Sequence, residues 1–415
     1  MTRPLTREQQ SVLHRTASIW LLVSTIAMAL AVQSLTAMAM LVPTVLAPVA
    51  AAELGVQASR IGILVAYTYF VAIVSGLICD TLIARFGPVR VFEFAVLLVA
   101  VGLASGFGGN LAVVFVLGAL VGTAHGLVNP ASSTILLHAS PPQYRSLIFS
   151  IKQTGVPLGG AIAGVLIPAL LQTMHWRHAV LVLGIASALA LIVVAPFRST
   201  YDRDRKPRQR IRLSGIGAPI ADVVSRPELL ALALASGVYS AVQMTLFSYL
   251  MLYLIVELGY TLVLAGLVFS VAQTMGIVGR PFWGVVADRL QAPRQLLAGL
   301  GIAMGFCGLA AALFRPDSPV AVVVVLCAVY GASAVGWNGV FLAEVARTAP
   351  PGEVGVVTGG VMLFTFSGAL LGPLAFGAIL GLTGSYALGF LFIALLPLVM
   401  GLRLAFPARA AGGEN

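Results

Sequence analysis

The sequence of 415 residues is 59% hydrophobic and only 9% charged, and its mean hydropathy is +1.01. Soluble globular domains carry roughly 25% charged residues, so this composition excludes a soluble protein and indicates one embedded in a bilayer. The formal net charge of +10 does not indicate nucleic-acid binding, because the basic residues lie in short gaps between apolar runs and lack interleaved aromatic side chains. Cys79, Cys307 and Cys327 lie within or at the ends of apolar runs without metal-ligand spacing, so we expect no disulfide, metal or cofactor.

Twelve apolar segments follow one another along the chain, and each is long enough to cross a bilayer as a helix of about 20 residues. We call them spans 1 to 12, with approximate limits 19–46, 58–82, 90–107, 111–138, 147–171, 178–197, 228–256, 262–286, 295–314, 319–347, 354–381 and 385–406. The first is too long for the core of a signal peptide, so we expect it to remain as a spanning helix. The predicted fold is an all-α membrane protein.

A basic segment at residues 198–226 separates the first six spans from the last six, and it carries eight of the 24 Lys and Arg residues. Basic residues beside spans hold a chain on the cytoplasmic side and attract anionic lipid, so this charge needs no further function. The predicted organisation is a six-helix bundle at 1–197, a cytoplasmic linker at 198–226 and a second six-helix bundle at 227–415.

The distribution of basic residues predicts the orientation of the chain. If the N-terminus is cytoplasmic, 19 of the 24 Lys and Arg residues lie inside, three lie outside and two lie within spans. Cytoplasmic loops carry such an excess. We therefore expect both termini and the linker on the cytoplasmic side of the inner cell membrane.

The two sets of spans also repeat one another in sequence, which indicates a duplication. A shift of 204 residues pairs six identical residues of the two sets: Glu53, Leu54 and Gly55 with Glu257, Leu258 and Gly259, Gly62 with Gly266, Arg85 with Arg289, and Arg90 with Arg294. A duplicated set of six helices is typical of transporters, in which sites form near the midplane between the repeats.

The loop between spans 8 and 9 carries Gly284, three further residues, and then Asp288 and Arg289, and it closes with Arg294. This pattern resembles the loop signature of the major facilitator superfamily, and the resemblance extends over nearly the whole chain. It implies two pseudo-symmetric bundles of six helices. In that family the loop acts as a latch whose acid lies near a helix N-terminus of the opposite half, where it complements the helix dipole.

The resemblance implies a gating role for both copies of this loop, with the residues Asp80, Arg85, Arg90, Asp288, Arg289 and Arg294. In the first copy Ala84 stands at the position of the acid, and Asp80 lies one turn upstream on the same helix face. The alternative is that Asp80 only ends span 2 in the headgroup region.

Two cations lie inside spans, where insertion of a charge costs about 2.5–3.5 kcal/mol. Lys152 is roughly 10 Å into span 5, and Arg280 is roughly 12 Å into span 8. The resemblance implies that these spans are neighbours across the interface between the halves. An anionic substrate would then relieve the repulsion, and the planar fork of Arg280 suits a carboxylate. The alternative is that each side chain snorkels to the headgroups.

Further polar residues lie near the middle of spans 1, 4, 7 and 10, which the resemblance places around a central cavity. Together with Gln153 beside Lys152, they form the predicted binding set: Gln33, His125, Asn129, Gln243 and Asn338. Such groups bond either across helices or to a substrate. His125 suits proton exchange near neutral pH. Glu344 either couples to protons or pairs with Arg347 one turn away.

These features predict a proton-coupled secondary transporter of a small organic anion, a symporter that works by alternating access as a monomer. Its partners are this small molecule, protons and the lipid bilayer, and not nucleic acid. Part of span 5, Val156-Pro157-Leu158-Gly159-Gly160, partly resembles the antiporter signature of exporters, so proton-driven efflux of amphipathic compounds or drugs is the alternative. An intramembrane enzyme would need a catalytic dyad or a zinc motif within the spans, which the sequence lacks.

Overall fold

The computed structural model describes residues 7–141, 145–203, 205–208, 217–350 and 354–406. Within these ranges all regular structure is helical, which confirms the predicted all-α fold. Twelve helical segments in the described ranges are long and apolar enough to cross a membrane, and they coincide with spans 1 to 12. The chain is therefore a multi-pass membrane protein.

Several helices are longer than the apolar runs that predicted them. The helix of span 1 begins at Arg7, before the apolar run that starts near residue 19. In chain order the spans comprise Arg7–Glu53, Ile61–Phe86, Pro88–Ser105, Leu111–Ala139, Arg145–Gln153 with Gly155–Leu171, Trp176–Val194, Pro227–Val256, Leu262–Leu290, Pro293–Ala311, Val320–Gly336 with Asn338–Thr348, Val354–Thr383 and Tyr386–Ala405.

Spans 5 and 10 are each broken into two helices. In span 5 the break lies at Thr154. Pro157 lacks the N–H group that would bond to the carbonyl of Gln153 four residues earlier, so this carbonyl has no partner within the helix. In span 10 the break lies at Trp337. Backbone carbonyls beside such breaks are available to side chains from neighbouring spans.

The densest packing occurs within each set of six spans, between spans 3 and 4, 2 and 4, 1 and 5, 7 and 11, 8 and 10, and 9 and 12. The two sets meet mainly where span 5 contacts span 8 and where span 2 contacts span 11. The first of these contacts was expected from the family resemblance. We call the end that carries the linker the linker end, and the end that carries the loops 1–2, 3–4, 5–6, 7–8, 9–10 and 11–12 the far end.

At the far end the two sets of spans touch through glycines. A Cβ atom on Gly266 of span 8 would overlap the carbonyl oxygen of Gly164 of span 5. One turn away, Ser270 donates to the carbonyl of Ala161 at 2.9 Å. On the other side, a Cβ on Gly62 of span 2 would overlap the carbonyl oxygen of Pro373 in span 11. The far end is therefore closed in this structure.

The first part of the linker is docked on the first set of spans. The two carboxylate oxygens of Asp202 accept hydrogen bonds from the backbone N–H groups of Val89, at 2.8 Å, and Arg90, at 3.2 Å. Both donors are in the first turn of span 3, where N–H groups lack helical partners. Arg198 forms an ion pair with Glu93 at 2.6 Å, so one carboxylate cap and one ion pair hold this segment.

Candidate substrate site

Lys152 is buried in the middle of the structure, with 2% of its surface exposed. It lies in the last turn of the first helix of span 5, and its Nζ donates to Asn129 Oδ1 of span 4 at 2.6 Å. The side chain therefore does not snorkel to the headgroups. Two residues of the predicted binding set are in direct contact here.

Arg280 connects the two broken spans from its position on span 8. Its guanidinium donates to the carbonyl of Gln153, which Pro157 leaves without a helical partner, and to the carbonyl of Val335 at 3.2 Å. Val335 lies two residues before the break at Trp337. The contact with Gln153 is through its backbone and not through the side chain that the sequence predicted. A backbone carbonyl beside each break therefore fixes the position of the Arg280 guanidinium.

Arg280 donates to the carbonyl of Gln153, the residue next to Lys152, so the two cations lie close together and repel one another. Among the side chains that the structure describes, no carboxylate lies within ion-pair distance of Lys152 or Arg280. Their observed partners are neutral oxygens. Buried charges are usually paired with opposite charges, so this arrangement leaves a net positive site that suits an anion.

Two buried glutamine side chains face the inner part of span 5 at glycine positions. Gln33 of span 1 lies against Gly155, and Gln273 of span 8 lies against Gly160. Both side chains are almost fully buried, and neither amide has a hydrogen-bond partner among the described residues. Because an unsatisfied buried amide is costly, these groups are available to a ligand or a water molecule.

Gln243 of span 7 and the break in span 10 form a second polar contact. The Oε1 atom of Gln243 accepts from Trp337 Nε1 at 3.1 Å and from Asn338 Nδ2 at 3.3 Å. This contact lies within the last six spans and uses two residues of the predicted set. Gln243 and Asn338 therefore bond to each other across helices, which is one of the two alternatives that the sequence left open for them.

His125 lines a cavity of about 20 Å³ between the two sets of spans. Its ring lies edge-on to Tyr69 at 5.9 Å, and Met244, Phe247 and Ser248 of span 7 form the opposite wall. The Nδ1 atom of His125 has no hydrogen-bond partner among the described residues. A cavity of this volume holds about one water molecule, so the imidazole can exchange a proton with a single bound water or with a substrate.

Glu344 forms a two-pronged ion pair with Arg347, with both oxygen–nitrogen distances at 2.7 Å. The carboxylate is 2% exposed, whereas the arginine is 66% exposed. The structure therefore has the local pairing that the sequence left as one alternative.

The predicted gating residues lie at the linker end. Asp288 and Arg289 are exposed, and no ion pair of Asp288 occurs among the described side chains. Arg85 lies over the ring of Phe86, and the backbone of Arg90 donates to Asp202. The Nε atom of Arg294 is buried without a partner in the described part of the chain. The side chain of Asp80 lies outside the described residues.

Gln273 and Asp202 were not predicted from the sequence. Gln273 lies in span 8, outside the four spans that the family resemblance places around the cavity, although an amide in the middle of an apolar span is itself a signal of a polar contact. Asp202 lies in a segment whose charge had already been explained by the membrane. The described residues contain no cluster of three or more His, Cys, Asp or Glu side chains that could hold a metal ion.

Twelve helices packed as two sets, with a polar site between them, define a membrane transport protein. The family model described as Major Facilitator Superfamily matches residues 26–373, which is most of the chain. The protein therefore belongs to the major facilitator superfamily, and it is a transporter and not an enzyme.

Several known proteins are similar to this chain over most of its length. The probable sulfoacetate transporter SauU of Cupriavidus necator is 25% identical over 378 residues, which are 84% of this chain and 85% of that protein. The hexuronate transporter of Bacillus subtilis is 21% identical over 310 residues, 70% of this chain and 71% of that protein. The solved structure of the peptide transporter POT in complex with sulfate has a TM-score of 0.74 and 17% identity, and covers 92% of this chain and 93% of that chain, which shows the fold alone.

A shorter match is to the multidrug resistance protein MdtG of Escherichia coli. It is 34% identical over 128 residues, which are 30% of this chain and 28% of that protein.

Proposed function

We propose that this transporter moves a small organic anion of the carboxylate type, together with protons, by alternating access. The observation that carries the proposal is the pair Lys152 and Arg280, which contact only neutral oxygens among the described residues. A bound carboxylate or sulfonate supplies the missing negative charge. It accepts from the fork of Arg280 and the ammonium group of Lys152 in a site of low dielectric, where such bonds are strong.

The amides near the cations supply the polar contacts that a substrate needs beyond its charged group. The side-chain amides of Gln33 and Gln273 have no hydrogen-bond partner among the described residues, whereas Asn129 Oδ1 already accepts from Lys152. A ligand that carries hydroxyl or carbonyl groups gains hydrogen bonds from both glutamines. A purely apolar ligand leaves them unsatisfied, so the site selects for polar anions.

Proton coupling is assigned to His125 in this proposal. Lys152 bonds to Asn129, one helical turn from His125 in span 4, so its positive charge opposes a second positive charge on the imidazole, and a bound anion offsets that repulsion. By thermodynamic linkage a proton on His125 then favours the anion to the same extent, which is the requirement for symport. Glu344 is the weaker candidate, because Arg347 already holds its carboxylate.

Efflux of amphipathic compounds is the second candidate, and the partial similarity to MdtG favours it. An exporter of organic cations needs a buried acid. Glu93 is held by Arg198 in an ion pair and is therefore unavailable for that role. The relatives that match most of the chain are described as transporters of sulfoacetate and hexuronate, which are anions. These observations favour the anion.

The direct test is uptake of labelled short-chain carboxylates, sulfonates and hexuronates into proteoliposomes, with and without an inward proton gradient. We expect uptake of at least one anion, and we expect the gradient to accelerate it. Flux of lipophilic cations alone, with no anion transported, would contradict the proposal.

Variants of the two cations test the site itself. Hydrogen bonds to charged groups contribute about 1.5–3 kcal/mol, so Arg280→Ala and Lys152→Ala should each reduce uptake at low substrate concentration by about ten- to a hundredfold. Arg280→Lys keeps the charge but not the fork and should give a smaller loss. Arg315→Ala removes an exposed cation of the loop 9–10 and should leave uptake unchanged. Unchanged flux in both Ala variants would disprove the assigned site.

A further inference from the structure

We propose that Tyr249 is a gating residue whose hydroxyl group, carried by span 7, joins span 2 to span 11 and holds the far end closed. The inference rests on membership of the transporter family and on the contacts at the far end. It does not depend on the chemical class of the substrate.

The hydroxyl of Tyr249 lies among three backbone groups from two other spans. It accepts a hydrogen bond from the N–H of Gly62 at 3.1 Å. Its single proton is directed to one of two carbonyl oxygens, that of Ser59 at 3.0 Å or that of Pro373 at 3.2 Å. Ser59 and Gly62 belong to the first six spans, and Tyr249 and Pro373 belong to the last six.

The contact with Gly62 satisfies a group that the helix cannot satisfy by itself. Gly62 is the second residue of the helix Ile61–Phe86, and the first four N–H groups of a helix have no helical acceptor. The oxygen of Tyr249 therefore caps the start of span 2 from the other set of spans. In the closed far end, no other described side chain accepts a hydrogen bond from this N–H group.

The ring of Tyr249 is fixed in the last six spans while its hydroxyl reaches into the first six. The residue is fully buried, and its ring packs on that of Phe376 with centroids 4.6 Å apart. Phe376 in turn packs against Phe390 at 5.2 Å. This aromatic cluster leaves the hydroxyl little freedom, so little side-chain entropy is lost when the contact forms.

Glycines on both sides make room for the hydroxyl. A Cβ atom on Gly62 would overlap both Tyr249 Oη and the carbonyl oxygen of Pro373, and a Cβ on Gly377 would also overlap Tyr249 Oη. The three spans therefore approach as closely as their backbones allow. Opening of the far end must separate span 2 from spans 7 and 11, and it breaks the hydrogen bonds of Tyr249 with Gly62 and Ser59.

Opening also exposes the same groups to water, which replaces the lost partners. For this reason the contact biases the equilibrium between closed and open far ends without locking it. One buried hydrogen-bonding group of this kind is expected to change such an equilibrium by about tenfold.

Two other tyrosines provide matched controls. Tyr253, one turn along span 7, donates to the carbonyl of Ala311 at 2.6 Å, and Tyr239 donates to that of Leu297 at 2.8 Å. Both hydroxyls bond to a backbone carbonyl, as that of Tyr249 does, but both partners lie within the last six spans. Their loss lowers stability without favouring either end.

The experiment measures the width of the far end directly in the full chain. Thr173 in the loop 5–6 and Thr383 at the end of span 11 are exposed, and Thr173→Cys with Thr383→Cys provides one spin label on each set of spans. The three native cysteines are buried and should label poorly. Distances between the labels are measured by pulsed electron resonance in lipid nanodiscs without substrate.

We expect the wild type to give mainly the short distance of a closed far end. Tyr249→Phe should raise the ratio of long to short distances by about five- to tenfold, whereas Tyr253→Phe should leave the ratio unchanged and only lower the Tm. Equal distance distributions in Tyr249→Phe and wild type would overturn the proposal, as would an equal shift in both Phe variants.

A second variant tests the same contact from span 2, and it replaces Tyr249→Phe if that protein does not fold. Gly62→Ala places a methyl group against the hydroxyl and should also favour the long distance. Gly381→Ala is its control, because a Cβ there meets no atom within 4 Å. A wild-type distribution in Gly62→Ala would contradict the inference. Because the readout uses no substrate, its outcome is independent of the anion proposal.

Discussion

Asp202 places a carboxylate beside the first copy of the loop, at the start of span 3. The first copy of the loop has Ala84 where the second has Asp288, and the linker contacts that position directly, since the backbone N–H of Lys206 donates to the carbonyl of Ala84 at 2.6 Å. Asp202 then caps the start of span 3. Gly87 adopts φ = 95°, and a Cβ there would overlap the carboxylate, so only glycine fits beside the cap.

Loss of this cap should release the first part of the linker. Replacing an N-cap residue by Ala costs about 0.5–2 kcal/mol, so Asp202→Ala should speed tryptic cleavage at the exposed residues Arg203 and Arg205. Asp222→Ala is the control, since it removes an acid of the same linker whose ion-pair partner among the described residues is Arg226, four residues along the chain at 2.9 Å. Equal cleavage rates in the two variants would show that the cap does not hold the linker.

The same carboxyl group predicts a dependence of stability on pH. Burial raises the pKa of Asp202 above its ordinary value of 3.8, although the N–H groups of Val89 and Arg90 act in the opposite direction. A carboxyl group whose pKa is higher in the folded than in the unfolded protein contributes its full stabilisation below pH 3.8, and this stabilisation is lost as the pH rises through the pKa of the folded state. The Tm of wild type minus that of Asp202→Asn should therefore fall as the pH is raised above 3.8. A constant difference would contradict this assignment.

Span 5 is broken at Thr154, and the sequence alone does not show what the break does. Pro157 frees the carbonyl of Gln153, and the structure shows that Arg280 from span 8 occupies it. The antiporter-like run around Pro157 thus has a role in placing a cation. The sequence located Arg280 from the cost of inserting a charge, but not its carbonyl partners, because these depend on how span 8 is rotated against two other spans.

Restoring the N–H group at position 157 should weaken the site. In Pro157→Ala the Gln153 carbonyl can form its helical bond, which competes with the bond from Arg280. We expect uptake of the anion at low concentration to fall by about three- to tenfold, with Tm unchanged or raised. Pro397→Ala in span 12, away from the site, is the control. Full activity in Pro157→Ala would show that the break does not position Arg280.

The duplication seen in the sequence has a counterpart in the way the spans meet. Gly62 and Gly266, paired by the shift of 204 residues, each lie at a close approach between the two sets of spans at the far end. Gly55 and Gly259, also paired, both adopt left-handed backbone conformations, with φ of 68° and 70°. The repeat therefore marks positions where only glycine fits the backbone or the approach.

The orientation of the molecule in its membrane stays a prediction from the 19 basic residues on one side. Cysteines introduced at Thr173 and Thr383 should react with a membrane-impermeant maleimide on intact cells, because both lie at the far end. A cysteine at Ser199, which is exposed in the linker, should react only after the cells are permeabilised. The reverse pattern would place the linker outside.

The sequence by itself determined the number of spans, the duplicated plan and the two cations within the spans. The spans and the cations follow from composition along single helices, because the bilayer demands about 20 apolar residues per span and penalises every charge, and the duplication follows from identities between the two halves of the sequence. The contacts of Gln273, Asp202 and Tyr249 were decided only by the tertiary structure. A polar side chain acquires its partner from the helix that packs against it, and that choice depends on rotation and approach of whole spans rather than on local sequence.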